Sequence, residues 1–166
     1  MKYPSKRLTL SVLLALAAFP TLGSAAAKYK GEDRGRPVMP TQTNARWQTE
    51  CGSCHLAFPP GLLPAASWVK VMNSLEKHFD TDASLSAPDN QAIGTYLSQH
   101  ASNRWTSTAS PIRITDSGWF KAKHSAQEIN PAVWQRAAIK SPANCMACHP
   151  AADKGDFNER NIRIPK

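Results

Sequence analysis

Apolar positions along the chain fall into three textures. The first is an apolar-rich run, Leu8 to Phe19, preceded by Lys2, Lys6 and Arg7 and followed by Pro20 and the small residues Gly23-Ser24-Ala25-Ala26-Ala27. Such a run is shorter than the ~20 residues that span a bilayer, and its basic head and small-residue tail predict a cleavable export leader over residues 1–27. The second texture is helical. Trp68, Met72, Leu75 and Phe79 recur at spacings of four, three and four, which predicts a helix with Pro64 in its first turn, one apolar face, and His78 at its end. Ile93, Tyr96 and Leu97 continue the pattern in a helix opened by Ser86, with Asp89 three residues on. Shorter helices are predicted from Asn44 through Trp47 into Cys51, from Asp116 or Ser117 through Trp119, Phe120 and His124, and from Asn130-Pro131 through Val133, Trp134 and Ala137. Phe58-Pro59-Pro60-Gly61 and Ser141-Pro142 break them.

The third texture is polar and aperiodic. It covers a coil arm from Lys28 to about Asn44 and a Ser/Thr-rich stretch from Ala101 to Pro111 that reads as a seam between two halves, 28–104 and 105–166. No stretch alternates with period two, so the expected fold is all-α.

Composition changes this picture in one respect. Leader removal after Ala26 or Ala27 leaves about 139 residues, and Trp, Tyr and Phe total 13 in the whole chain. Short helices separated by proline-rich loops give a small core, which ordinarily needs disulfides, a metal or an internal filler. Charge adds little. Taking Lys2, Lys6 and Arg7 from 20 basic residues leaves 17 against 12 acidic, a dispersed net +5 without a basic run, so neither nucleic-acid binding nor membrane insertion after leader cleavage is expected.

Cysteine usage supplies the candidate filler. Cys51-Gly52-Ser53-Cys54-His55 and Cys145-Met146-Ala147-Cys148-His149 both read C-x-x-C-H, the attachment pattern of c-type haem. Two thiols at this spacing can add to the two vinyl groups on one porphyrin edge, and the next residue offers an imidazole to the iron. A zinc ribbon would want its pairs about 15–20 residues apart, whereas 90 residues separate Cys54 from Cys145. A thioredoxin-like redox pair would want a βαβ setting, and two disulfides would need no histidine at all. With five histidines in 166 residues, chance places one after both pairs about once in 1,000. Two covalent haems are therefore expected, with Cys51, Cys54, Cys145 and Cys148 as attachment residues and His55 and His149 as proximal iron ligands.

The second axial position decides between carrier and gas binder or catalyst. His78 precedes a loop and the Ser86 helix, where a small cytochrome delivers its distal ligand. His124 follows Trp119 and Phe120, close to an aromatic-lined second pocket. His100 stands at a fraying helix end and is read as a partly exposed or propionate-facing side chain. Met72 is read as core filler, Met39 as part of the arm, and Met146 as pointing away from iron. Among Pro59, Pro60 and Pro64 we look for the backbone carbonyl that orients His55.

Several stretches then resemble the soluble dihaem cytochrome c family whose members pair with a high-spin monohaem cytochrome. They are Glu50 to His55, Phe58 to Trp68, Lys77-His78-Phe79 with Ala83-Ser84-Leu85, Arg113-Ile114-Thr115 with Trp119-Phe120, Lys140 to His149, and Gly155-Asp156-Phe157. The resemblance implies a class I cytochrome c-like N-terminal haem domain, a smaller C-terminal haem domain, and bis-histidine ligation with His78 and His124 in the distal roles. It also implies a periplasmic electron-transfer protein, not an enzyme, whose redox partners would be a small monohaem cytochrome and a membrane-bound cytochrome donor. The alternative is a haem enzyme or gas sensor with one axial site that opens.

Overall fold

A computed structural model describes residues 37–102 and 110–166. The leader, most of the arm and residues 103–109 of the seam lie outside the described residues. Four α-helices occur among those described: α1 (Ala45–Gly52), α2 (Ala65–Met72), α3 (Ala87–His100) and α4 (Gly118–Lys123). Single 3-10 turns connect them, and no strand is present among the described residues beyond an isolated bridge between His78 and Thr81.

Local chemistry sets the helix starts. Asn44 caps α1 by accepting the Trp47 N–H at 3.0 Å. Ser86 caps α3 reciprocally, accepting the Asp89 N–H at 3.2 Å while its hydroxyl donates to the Asp89 carboxylate at 2.6 Å. Of the two candidates for α4, Ser117 is the cap, and Asp116 ends the preceding turn. Pro64 stands at the cap of α2, one residue outside its first turn.

The apolar stripe from Trp68 to Phe79 does not form one helix. α2 stops at Met72, and Leu75–Lys77 forms a separate 3-10 turn. Ser74 explains the break: its hydroxyl donates to Lys70 O at 2.9 Å, competing with the backbone ladder. Leu75 still reaches the core, so the spacing reports burial correctly while the helix itself has ended. The Asn130-Pro131 segment is likewise a 3-10 turn, Pro131–Gln135, capped by Asn130, and stops before Ala137.

The core is Trp47, Leu62, Leu63, Trp68, Val71, Met72, Leu75, Ile93, Tyr96 and Leu97, extended by Ile114 and Phe120 from beyond the seam. The Trp119 indole donates to Leu62 O at 3.2 Å and ties α4 to the Pro60–Leu62 turn. The end of the arm is also fixed. Gly61 N–H donates to Val38 O at 2.8 Å, and Met39 packs against the core and lies against Gly155.

Gly155 adopts φ +77°, and a Cβ there would collide with the Met39 Cβ. A Cβ on Gly61 would stand 2.5 Å from the Val38 backbone. Gly155→Ala is expected to destabilise the protein by about 2–4 kcal/mol, combining left-handed strain with overpacking. Gly61→Ala should cost about 1–3 kcal/mol by parting the Val38 hydrogen bond. Urea unfolding of the haem-loaded protein measures both, and an unchanged midpoint for Gly155→Ala would refute the close packing of Met39 on Gly155.

Candidate haem sites

The first site grows from the end of α1. Cys51 closes its last turn, half-buried, and the chain leaves the helix so that Cys54 and His55 become exposed. Ser53 Oγ donates to Glu50 O at 2.9 Å and holds the turn between the thiols. Burial, with the Glu50 carboxylate adding to it, pushes the Cys51 thiol up to about 11. His55 Nδ1 donates to Leu56 O at 2.7 Å, which places the proton on Nδ1 and leaves Nε2 with its lone pair. The carbonyl sought among the prolines therefore belongs to Leu56, the residue immediately following; Pro60 O is engaged by the Trp68 indole at 2.7 Å. Phe58 lies against His55, ring centres 5.0 Å apart.

His78 faces this site from the turn that follows α2. Its N–H donates to Leu75 O, and the loop closes through Thr81 N–H to His78 O at 3.1 Å and Ala83 N–H to Leu75 O at 2.9 Å. Phe79 and Asp80 adopt φ of 51° and 72°, a left-handed conformation that costs a non-glycine residue about 1–2 kcal/mol. The His55 and His78 rings are 6.2 Å apart between centres, with planes 27° apart.

The second site is built almost without α-helix. Cys145–Ala147 forms a 3-10 turn, and the His149 N–H donates to Cys145 O at 2.8 Å. Asn144 Nδ2 anchors the turn to Ile139 O at 3.0 Å, and Ile139 is buried. Burial pushes the Cys145 thiol up to about 11 and raises Cys148, although the Arg136 charge opposes the latter. His124 caps the C-terminus of α4, donates from Nδ1 to Phe120 O at 3.0 Å, and stacks on the Phe120 ring at 4.0 Å with planes 12° apart. Its Nε2 is thereby left as the free donor atom. Trp134 and Phe157 flank the pair, and the His124 and His149 ring centres are 6.3 Å apart.

His100 joins neither pair; it is half-buried against Tyr96, ring centres 4.9 Å apart. Met72 is buried in the core, and Met146 is exposed. All four cysteines are free, and no cluster of three or more His, Cys, Asp or Glu suited to an ion is found among the described residues. Each site thus offers two thiols, an imidazole beside them and a second imidazole across a gap with apolar flanks. That donor set fits a haem. The sequence gives Phe58 and Phe157 no place beside the imidazoles, although they follow the C-x-x-C-H histidines by three and eight residues.

The family described as dihaem cytochrome c matches residues 47–157. The chain belongs to that family. Among solved structures it is similar to a dihaem cytochrome c from Rhodobacter sphaeroides, at 38% identity over 69% of this chain and 97% of that one, TM-score 0.63. A second Rhodobacter sphaeroides structure is 41% identical over 70% and 98%, TM-score 0.62. A dihaem cytochrome from Shewanella baltica is 38% identical over 74% and 93%, TM-score 0.64. No curated protein matches the chain. As a dihaem cytochrome c, the chain carries two c-type haems on Cys51, Cys54, Cys145 and Cys148 and is an electron-transfer cytochrome.

Burial lowers the pKa of His78, His124 and His149; the neighbouring His55 and Arg113 charges add to the effect at His78, and His124 adds to it at His149. Without iron on them, these imidazoles would bind more protons in the unfolded chain and would support folding less as pH falls below about 6.5. The depressed carboxyls of Asp82, Asp89 and Asp156 lose their contribution only below their ordinary value of 3.8.

Proposed function

We propose that the protein is an exported, periplasmic carrier that passes single electrons by outer-sphere transfer, with His55 and His78 on one iron and His149 and His124 on the other. The observation supporting this is the spacing of the rings. Metal–imidazole bonds of about 2 Å, with about 1.1 Å from each nitrogen to its ring centre, put two imidazoles on one iron at about 6.2 Å between centres. The two pairs stand at 6.2 and 6.3 Å.

The haem iron supplies a one-electron couple. The chain supplies the rest: Leu56 O and Phe120 O orient His55 and His124, and Phe58, Phe157 and Trp134 limit water around the rings. Imidazole on both faces leaves no vacant position for oxygen or substrate, which favours a carrier over a catalyst. The basic head, apolar run and small-residue tail of residues 1–27 support export, and no helix among the described residues is long and apolar enough to cross a membrane. Redox docking is small and transient, below about 1,200 Å², and suits a small monohaem cytochrome as partner and a membrane-bound cytochrome as donor.

The visible spectrum of the reduced, haem-loaded protein tests this. Addition of carbon monoxide should leave it unchanged, and reduced protein should exchange electrons with a small monohaem cytochrome. A carbon monoxide band at either haem would favour the gas-binding reading instead.

A further inference from the structure

Arg113 lies beyond the seam, at the start of the Ile114–Asp116 turn, and neither haem site as described above employs it. Its guanidinium nevertheless sits over the Phe79 ring, with Cζ 3.8 Å from the ring centre. Phe79 packs in turn on His78, ring centres 4.7 Å apart at 59°. The three groups form a stack that runs from the C-terminal half into the loop carrying the histidine of the first site.

Two features of that loop call for an external support. Phe79 and Asp80 are both left-handed, at φ 51° and 72°, a strained choice for an aromatic residue that persists only where surroundings enforce it. The loop's own hydrogen bonds, Thr81 to His78 and Ala83 to Leu75, close the backbone without fixing the Phe79 ring. Arg113 covers the outer face of that ring. Among the described residues it makes no ion pair.

We propose that Arg113 is a positioning residue for the first site, holding the His78 loop through Phe79 while its charge raises the reduction potential of the haem that His78 faces. The proposal rests on the reading that His78 closes that iron. An oxidised centre carries one more positive charge than a reduced one, so a nearby cation disfavours the oxidised form. Partial exposure and salt moderate the effect.

Arg113→Gln and Arg113→Lys in the haem-loaded protein test both halves, with each haem's potential and carbon monoxide uptake as readouts. Arg113→Gln should lower one potential, changing that haem's oxidised-to-reduced ratio at fixed applied potential about threefold at low salt and less at high salt. It should also start carbon monoxide uptake at the same haem, because the loosened loop lets His78 leave. Arg113→Lys keeps the charge but loses the planar contact; its potential should stay near the parent's while uptake still appears. Parent-like potentials and uptake in Arg113→Gln, or an equal shift of both haems, would overturn the proposal. His78→Met run in parallel separates the two claims: if it alters neither haem, the ligand assignment has failed and the proposal falls with it, whereas if it alters one haem and Arg113→Gln alters none, only the role of Arg113 has failed.

Discussion

Methionine in place of His78 is expected to raise the midpoint potential of one haem by on the order of 100 mV, a modest part of the ~0.8 V that axial ligands span, and to leave the other unchanged. A thioether is a softer, weaker donor than imidazole and favours the reduced iron. His124→Met should do the same to the other haem. The independence follows from geometry, because His78 stands against His55 and His124 against His149, in separate pockets. The two variants differ in what supports the new side chain. His78 sits in a strained loop backed by Phe79, whereas His124 caps α4 and stacks on Phe120, so His124→Met also removes a hydrogen bond to Phe120 O. Spectroelectrochemical titration resolves the two haems. His100→Met should move neither, and a shift there would overturn the ligand assignment.

Loss of the second attachment pair should have the largest structural effect. With Cys145→Ala and Cys148→Ala, the mature mass should fall by one haem, and the segment after Ser110 should become protease-sensitive while α1, α2 and α3 persist. The reason is the sparse apolar content of that segment. Its α-helix is six residues long, the remainder is 3-10 turns and loops, and its buried apolar residues are Ile114, Phe120, Val133, Ile139 and Ala152. Isolated short helices are marginal in water, so packing against a large apolar body has to supply the stability. The first half has a larger core of its own around Trp47, Leu63, Trp68, Ile93 and Leu97. Limited proteolysis with mass spectrometry checks this. Retained protease resistance beyond Ser110 would show that the segment folds without its haem.

Legibility in the sequence tracked the range of the interaction. The helix caps Asn44, Ser86 and Ser117 act within three residues, and each stands where its side chain and the following apolar pattern predict. The break after Met72 was hidden because helix and 3-10 turn bury apolar residues at nearly the same spacing; Ser74, bonding back to Lys70, is the local signal that separates them. The carbonyl that orients His55 was sought in prolines and found one residue away at Leu56, since a ring nitrogen reaches its neighbour's carbonyl without any turn.

The sequence by itself determined the chemistry: two C-x-x-C-H motifs name the thiols, the adjacent imidazoles and hence the two haems, because attachment is a matter of spacing along one turn of chain. Only the tertiary structure decided which distant groups meet. The pairing of His78 with His55 and of His124 with His149, the packing of Met39 on Gly155 and the reach of Arg113 to Phe79 join residues separated by between 23 and 116 positions. Such contacts are chosen by how whole helices and turns bury their apolar faces together, and no local pattern records that choice.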